Sequence, residues 1–171
     1  MSFGRLLFLA AIAVGIVLPI RLWVAEPITI ATPSMEPTFP VGAFVLMDKV
    51  TLSWREPRRG EVIVFSSPLG EEKELVKRVI GIPGDAIELK AKKVFVNGTE
   101  LEEGYVQHTR AEERLAGDNL GPLIVPAKGL FVLGDNRDES KDSSAWKDPE
   151  TGEPIYFLPR RRVTGLVRGF Y

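Results

Sequence analysis

Three stretches of this 171-residue chain carry residue types that could do chemistry together. In the first, Ile30-Ala31-Thr32-Pro33-Ser34-Met35-Glu36-Pro37-Thr38-Phe39, a serine is held between two prolines. Proline fixes its own φ and keeps the preceding residue out of the helical region. Thr32 and Glu36 are therefore expected to be extended, and the Ser34 hydroxyl to have a defined direction. Read alone, the stretch is more simply turn chemistry at the edge of a β-domain. In the second, Glu74-Leu75-Val76-Lys77-Arg78-Val79-Ile80, a lysine interrupts an apolar run. Alternate strand residues face opposite sides, which groups Lys77 with Leu75 and Val79, and Arg78 with Val76 and Ile80. Lysine is seldom buried unless paired. Lys77 is thus either a snorkelling edge-strand lysine that guards against aggregation or a base weakened by burial. The third stretch, Gly134-Asp135-Asn136-Arg137-Asp138-Glu139-Ser140-Lys141-Asp142-Ser143-Ser144, crowds charges and hydroxyls directly after an apolar strand. Turn chemistry accounts for it. A calcium loop is a rival, but the EF-hand spacing, central glycine and terminal glutamate are missing. Asp135 and Asp138 are candidate partners for Arg78.

A serine hydroxyl needs a base to become a nucleophile, and a lysine serves only when neutral. With an ordinary pKa near ~10.4, roughly one lysine in a few thousand is neutral at pH 7. Burial on an apolar face lowers a lysine pKa, by up to about 3–5 in the extreme. A buried strand position is therefore what would make Lys77 useful to Ser34.

The elements around these stretches read as one ordinary domain with an appendage. The formal charge of −1 gives no electrostatic argument for nucleic acid. With no cysteine, disulfides, thiolate metal sites and a thiol nucleophile are excluded. The single histidine, His108, excludes multi-histidine metal sites. Residues Leu6 to Ile20 carry no charge, and Leu22-Trp23-Val24-Ala25 extends the run past Arg21. A helix over Leu6–Ala25 would rise roughly 30 Å, enough to cross a bilayer, with Arg21 snorkelling and Trp23 at the interface. A cleaved signal peptide has a shorter core, and a buried globular helix has a polar face that this run lacks. The run is read as a retained anchor over residues 1–26, with a β-rich domain over 27–171. Arg5 and Arg21 flank it one on each side, so charge does not orient it.

Beyond the anchor, strands are expected at Ala43–Met47, Glu61–Phe65, Glu74–Ile80, Lys93–Val96, Thr99–Leu101, Leu123–Val125 and Leu130–Leu133. Asn97-Gly98 is a strong hairpin signal. Residues 102–121, with His108, read as an exposed excursion.

The three stretches, in this order and behind an apolar N-terminus, resemble the signature boxes of type I signal peptidases. Ser34-Met35-Glu36-Pro37-Thr38 is similar to the nucleophile box. Lys77-Arg78-Val79-Ile80-Gly81-Ile82-Pro83-Gly84-Asp85 is similar to the lysine box, and Gly134 to Asp138 with Ser140 and Asp142 to the polar loop. The resemblance spans most of the chain from residue 20 onward. It implies a mostly β fold: a compact antiparallel β-sheet catalytic domain, like those of signal peptidases and self-cleaving repressors, with one N-terminal transmembrane helix. It implies a membrane-anchored serine endopeptidase that cleaves signal peptides from exported preproteins after small residues. Ser34 is the nucleophile on this reading and Lys77 its general base. Thr32 joins the Ser34 N–H in the oxyanion hole, Ser140 orients the lysine amine and Asp142 supports it. Ile30, Met35, Leu75 and Val76 fall where the family lines its substrate pockets. No cofactor or metal is implied. The implied partners are preproteins and the lipid bilayer, and the implied location is the cytoplasmic membrane, single-pass, with the catalytic domain outside.

The chain departs from the family after Asp142-Ser143. Ser144-Ala145-Trp146-Lys147 stands where arginine and a Trp-Gly pair are common, followed by an added-looking Asp148-Pro149-Glu150-Thr151-Gly152-Glu153-Pro154. That bears on the support of Asp142. A specialised Ser–Lys peptidase of conjugative pilin and a non-catalytic anchored β-domain are the alternatives; a substrate assay separates them.

Overall fold

The computed structural model describes residues 3–170. Eleven strands pair antiparallel into two sheets. The larger runs β1 (Ala25–Thr29), β2 (Phe44–Asp48), β11 (Val163–Phe170), β3 (Val62–Ser66), β4 (Glu74–Gly81), β9 (Gly129–Leu133) and β10 (Leu158–Pro159). The smaller runs β7 (Thr99–Glu100), β6 (Lys93–Val96), β5 (Ala86–Lys90) and β8 (Leu120–Ile124). The apolar runs read as strands are strands, shifted mostly by a residue or two at their ends. Asn97 (φ 53°) and Gly98 (φ 81°) both take the left-handed backbone that a two-residue hairpin requires.

The core sits where apolar faces of these strands meet. Ile63 and Phe65 of β3, Val79 of β4 and Leu130 of β9 pack with Trp146, whose ring meets Phe65 edge-on at 5.8 Å. Such an aromatic pair adds about 0.5–1.5 kcal/mol beyond area burial. A second cluster joins the sheets, with Ile80, Phe131 and Leu133 of the larger against Ile87, Leu89 and Val94 of the smaller. A third holds Ile30, Met35 and Phe39 against Val45 and Val62, and so fixes the segment around Ser34.

Four expectations are corrected. The apolar N-terminus is not one helix over Leu6–Ala25. Instead α1 (Phe3–Ile12), a π-helical turn (Ala13–Val17) and α2 (Leu18–Trp23) follow one another, and Ala25 already belongs to β1. Pro19, lacking an N–H and crowding the carbonyl four residues back, accounts for the widened turn before it. Among the described residues no helix is long and apolar enough to cross a membrane. The Arg21 side chain, expected to snorkel, lies outside the described part.

β1, β5, β10 and β11 were not anticipated as strands. β1 contains Pro27, which an edge strand tolerates because one of its sides needs no donor. β11 lies between β2 and β3 with register shifts on both sides. The excursion of residues 102–121 is not simply exposed: the Gln107 N–H donates to the Asp135 carbonyl at 2.9 Å and its carbonyl accepts from the Arg137 N–H at 3.0 Å. Finally, Asp138 does not pair with Arg78. It accepts from Lys92 Nζ at 2.7 Å and from the Arg110 N–H at 2.7 Å, because the turn Arg137–Glu139 aims it at the β5–β6 hairpin.

Candidate active site

Ser34 lies in a short 3-10 turn, Pro33–Met35, between β1 and β2. Thr32 (φ −134°, ψ 153°) and Glu36 (φ −67°, ψ 146°) are extended on either side, as the prolines dictate. Met35 is wedged into the third cluster, so the turn cannot roll. Lys77 comes from the middle of β4, opposite Ile63 of β3, and is 3% exposed. Its neighbours on the same face, Leu75 and Val79, belong to the Phe65–Trp146 cluster.

These two elements bring the functional groups together. Lys77 Nζ donates to Ser34 Oγ at 2.7 Å and to the Val76 carbonyl at 3.0 Å. When the amine is neutral, the first contact can run the other way, from hydroxyl to nitrogen. Burial pushes the Lys77 pKa down to about 8. Asp142 and Asp135 oppose the fall by favouring the ammonium, and Lys73 adds slightly to it. Burial dominates, so roughly a tenth of the amine is neutral at pH 7 rather than one part in thousands. Thr32 Oγ1 stands 3.1 Å from Ser34 Oγ.

The polar loop closes the site from behind. The Asn136 N–H donates to the Ser34 carbonyl at 3.1 Å. Asp142, 1% exposed, accepts from the Gly134 N–H at 2.9 Å, from Ser140 Oγ at 2.5 Å, and from both the N–H and Oγ of Ser144 at 3.1 and 2.8 Å. The altered residues after Ser143 therefore do not leave Asp142 unsupported, since Ser144 supplies two donors. The added-looking stretch of residues 148–154 forms an exposed turn closed by Asp148 N–H to Glu153 O at 2.8 Å. Ser140 is not hydrogen-bonded to Lys77; its hydroxyl goes to Asp142, so Lys77 is held by Ser34 and its own strand.

Arg78, beside Lys77, is the tie between all three stretches. Its Nε and Nη2 donate to Asp135 at 2.8 and 2.5 Å, and Thr38 Oγ1 donates to the same carboxylate at 2.5 Å. Its guanidinium lies 3.9 Å over the Tyr105 ring, and Arg137 pairs with Glu103 close by. With Asp135, Asp138 and Asp142 all engaged by donors of the chain, the loop is no calcium cradle. Among the described residues no cluster of histidine and carboxylates could hold a metal.

A cleft of about 230 Å³ opens in front of Ser34 and Lys77. Thr32, Ile30, Met35, Leu75 and Val76 all line it, with Lys73 and Glu74 at its rim. His108 lines a different cavity, with Lys92, Arg110 and Asp138, and is 3.6 Å from the Asp138 carboxylate.

Residues 3–171 match the family of signal peptidase, peptidase S26. The chain belongs to that family. Among S26 relatives, a probable signal peptidase I-2 of Synechocystis sp. is 35% identical over 158 residues, which cover 90% of this chain and 66% of the relative. A signal peptidase I of Leptolyngbya laminosa is 34% identical over 90% of this chain and 72% of its own length. A signal peptidase I P of Bacillus subtilis subsp. natto is 38% identical over 77% and 73%. The chain thus spans about two thirds to three quarters of the length of these relatives. The crystal structure of a signal peptidase I from Enterococcus faecalis V583 superposes with a TM-score of 0.51 at 26% identity, covering 67% of this chain and 98% of that one. The antiparallel β-domain is therefore a signal peptidase I fold.

Sequence reasoning passed over the part played by Gly134 in this S26 site. A Cβ there would come within 2.3 Å of Ser140 Oγ and 2.4 Å of the Ser34 carbonyl. Only glycine lets the loop approach the Ser34 turn so closely. The signal was a glycine at the end of an apolar strand, which reads as a turn residue when the facing segment is unknown.

Proposed function

We propose that this protein is a serine endopeptidase that cleaves signal peptides from exported preproteins after small residues, with Ser34 as nucleophile and Lys77 as general base. The observation that carries the assignment is the 2.7 Å contact between a buried lysine of lowered pKa and a serine hydroxyl at the floor of an apolar cleft. The neutral Lys77 amine takes the proton of Ser34 as Oγ bonds to the scissile carbonyl carbon. The oxygen that becomes negative meets Thr32 Oγ1 and the Ser34 N–H, an amide early in its turn with no acceptor within it. The Lys77 ammonium returns the proton to the leaving amine as the acyl-enzyme forms. A water then attacks the ester, with Lys77 again as base. Asp142 and Ser140 hold the loop behind the amine, and Ile30, Met35, Leu75 and Val76 offer walls suited to small apolar side chains.

Residues 1–26 are the membrane anchor on this reading and 27–171 the protease domain, on the extracytoplasmic side of the cytoplasmic membrane. What supports the anchor is helical backbone that continues from Phe3 to Trp23 through its π-turn, roughly 30 Å long, with the large apolar side chains from Phe3 to Leu18 and those of Leu22 and Trp23 exposed. Ser34 then lies few residues from the bilayer, where a signal peptide presents its end.

Incubation of the full chain in detergent with an exported precursor should release a mature product whose new N-terminus, mapped by mass spectrometry, follows a small residue. His108→Ala should cleave as well as the parent, because His108 lies in another cavity. A folded but inactive His108→Ala would point to a Ser–His mechanism instead, and no cleavage of any precursor would sink the assignment.

A further inference from the structure

The hairpin between β5 and β6 turns on two residues that do not suit it. Ala91 (φ 48°) and Lys92 (φ 70°) both take the left-handed backbone, where glycine and asparagine are at ease and alanine and lysine are strained. The hairpin at the other end of β6 meets the same requirement with Asn97-Gly98. Strain of this kind persists where the surroundings impose it. Here the demand acts through the Lys92 side chain, which is 14% exposed and points inward. Its Nζ donates to Asp138 Oδ1 at 2.7 Å and to the Arg110 carbonyl at 2.8 Å, and stands 4.0 Å from Asp118.

Asp138 belongs to the turn Arg137–Glu139, which stands between two contacts with the dyad. Just before it, the Asn136 N–H donates to the Ser34 carbonyl. Just after it, Ser140 Oγ donates to Asp142, the carboxylate that most strongly favours the Lys77 ammonium. Gln107 and Glu103 hold the first half of the turn, through the Asp135 carbonyl and Arg137. The second half borders a cavity of about 190 Å³, lined in part by Ser140 and Ser144. Close packing therefore does not fix it there, and the bonds from Lys92 and Arg110 to Asp138 do. Lys92 serves both, since the Arg110 carbonyl itself rests on Nζ. His108, 3.6 Å from the same carboxylate, makes no hydrogen bond to it through Nδ1.

We propose that Lys92 is a positioning residue for the dyad: from its strained hairpin turn it pins Asp138, and so sets the loop that meets Ser34 on one side and Asp142 on the other. The inference rests on the Ser34–Lys77 chemistry proposed above. Lys92 touches neither residue and acts through Asp138. Without the pin, Ser140 and Asp142 gain room to move into the cavity and take up water, and the hold of the carboxylate on the Lys77 ammonium weakens. The other charges that act on Lys77 stay in place, because Asp135 is held by Arg78 and Lys73 lies on the approach to β4. The cleft walls, Ile30, Met35, Leu75 and Val76, are not part of this loop.

The test uses the full chain in detergent with an exported precursor, and reads kcat, KM, the pH profile and the melting temperature. In Lys92→Met, kcat should fall about tenfold with KM unchanged. The midpoint of kcat/KM against pH should move below the value of about 8 expected of the parent, since the carboxylate then favours the ammonium less. Lys92→Arg, which still reaches Asp138, should recover most of both. Lys92→Gly relaxes the turn, so it should melt closer to the parent than Lys92→Met while cleaving as slowly. If Lys92→Met does not fold, Lys92→Gly carries the same comparison of kcat and midpoint. Lys93→Met, which loses only an exposed pair with Glu100, should match the parent. Rates that follow melting temperature, with Lys92→Gly faster than Lys92→Met, would make the pair a plain structural tie and overturn the inference. A parent inert toward every precursor sinks the dyad reading and this inference with it; an active parent matched by Lys92→Met in kcat and midpoint sinks the inference alone.

Discussion

Lys77→Arg is expected to be as inactive as Lys77→Ala, with processing down roughly 10³-fold or more in both. Arginine keeps the positive charge and most of the length, but its guanidinium stays protonated at any working pH and cannot accept the Ser34 proton. A lysine that only filled space or balanced charge would be replaced with modest loss, so near-normal cleavage by a folded Lys77→Arg overturns the dyad. The parent rate, as kcat/KM, should rise with pH through about 8, the value to which burial brings the amine. Stability should carry the mark of the same burial. Below about pH 8 the folded and unfolded chains both hold the proton, and the fold bears the cost of a buried ammonium. Between about 8 and the ordinary 10.5 the unfolded chain holds more protons, so stability rises with pH. The cost at neutral pH is roughly 3 kcal/mol. Lys77→Met should therefore melt higher than the parent near neutrality, with a gain that shrinks at alkaline pH, while being inactive. A Lys77→Met protein less stable than the parent at every pH would contradict the depressed pKa.

Asp135→Ala is expected to cost about 3–5 kcal/mol of stability, or about 10 °C in melting temperature for a chain of this size. The substitution leaves the Arg78 guanidinium, 12% exposed, without the carboxylate that accepts two of its donors. It also releases Thr38, four residues past Ser34, from the polar loop. Cleavage should fall along with stability, since the same carboxylate joins the segments that carry the dyad. Replacing both partners, with Arg78→Met and Asp135→Leu, should recover part of the stability, because no charge is then stranded. Urea denaturation of the two variants decides it: a double variant less stable than Asp135→Ala would mean that the pair is worth more than the cost of burying it.

What the sequence disclosed and what it hid follow from how local each cause is. Lys77 was legible because alternation along one strand already placed it among Leu75 and Val79. The Ser34 segment was legible because two prolines act on their immediate neighbours. Asp142 was harder, since its four donors come from Gly134, Ser140 and Ser144 in a loop whose path no periodicity sets. The partner of Asp138 was missed because Lys92 belongs to a hairpin 46 residues away in sequence. β1 was hidden by the apolar run that leads into it. β11 was hidden by its glycines: a Cβ at Gly165 would come within 2.4 Å of Met47 and 2.8 Å of the Asp48 carbonyl, so glycine there answers to β2 and not to its own strand.

The place of β11 has a consequence in time. Strand by strand, β1 and β2 reach the rest of the larger sheet only through β11, which pairs with β2 on one side and β3 on the other. Ser34 lies in the first portion and Lys77 in the second, so the sheet that joins them stays open until residues 163–170 have been synthesised. Ser34 leaves the ribosome early, and although the third cluster and Asp135 also tie its segment to β3 and β4, the strand that closes the sheet between it and Lys77 is the last to be made. Chains stalled before residue 163 should accordingly be sensitive to added protease and inert toward precursors, and active stalled chains would show that the dyad aligns without this strand.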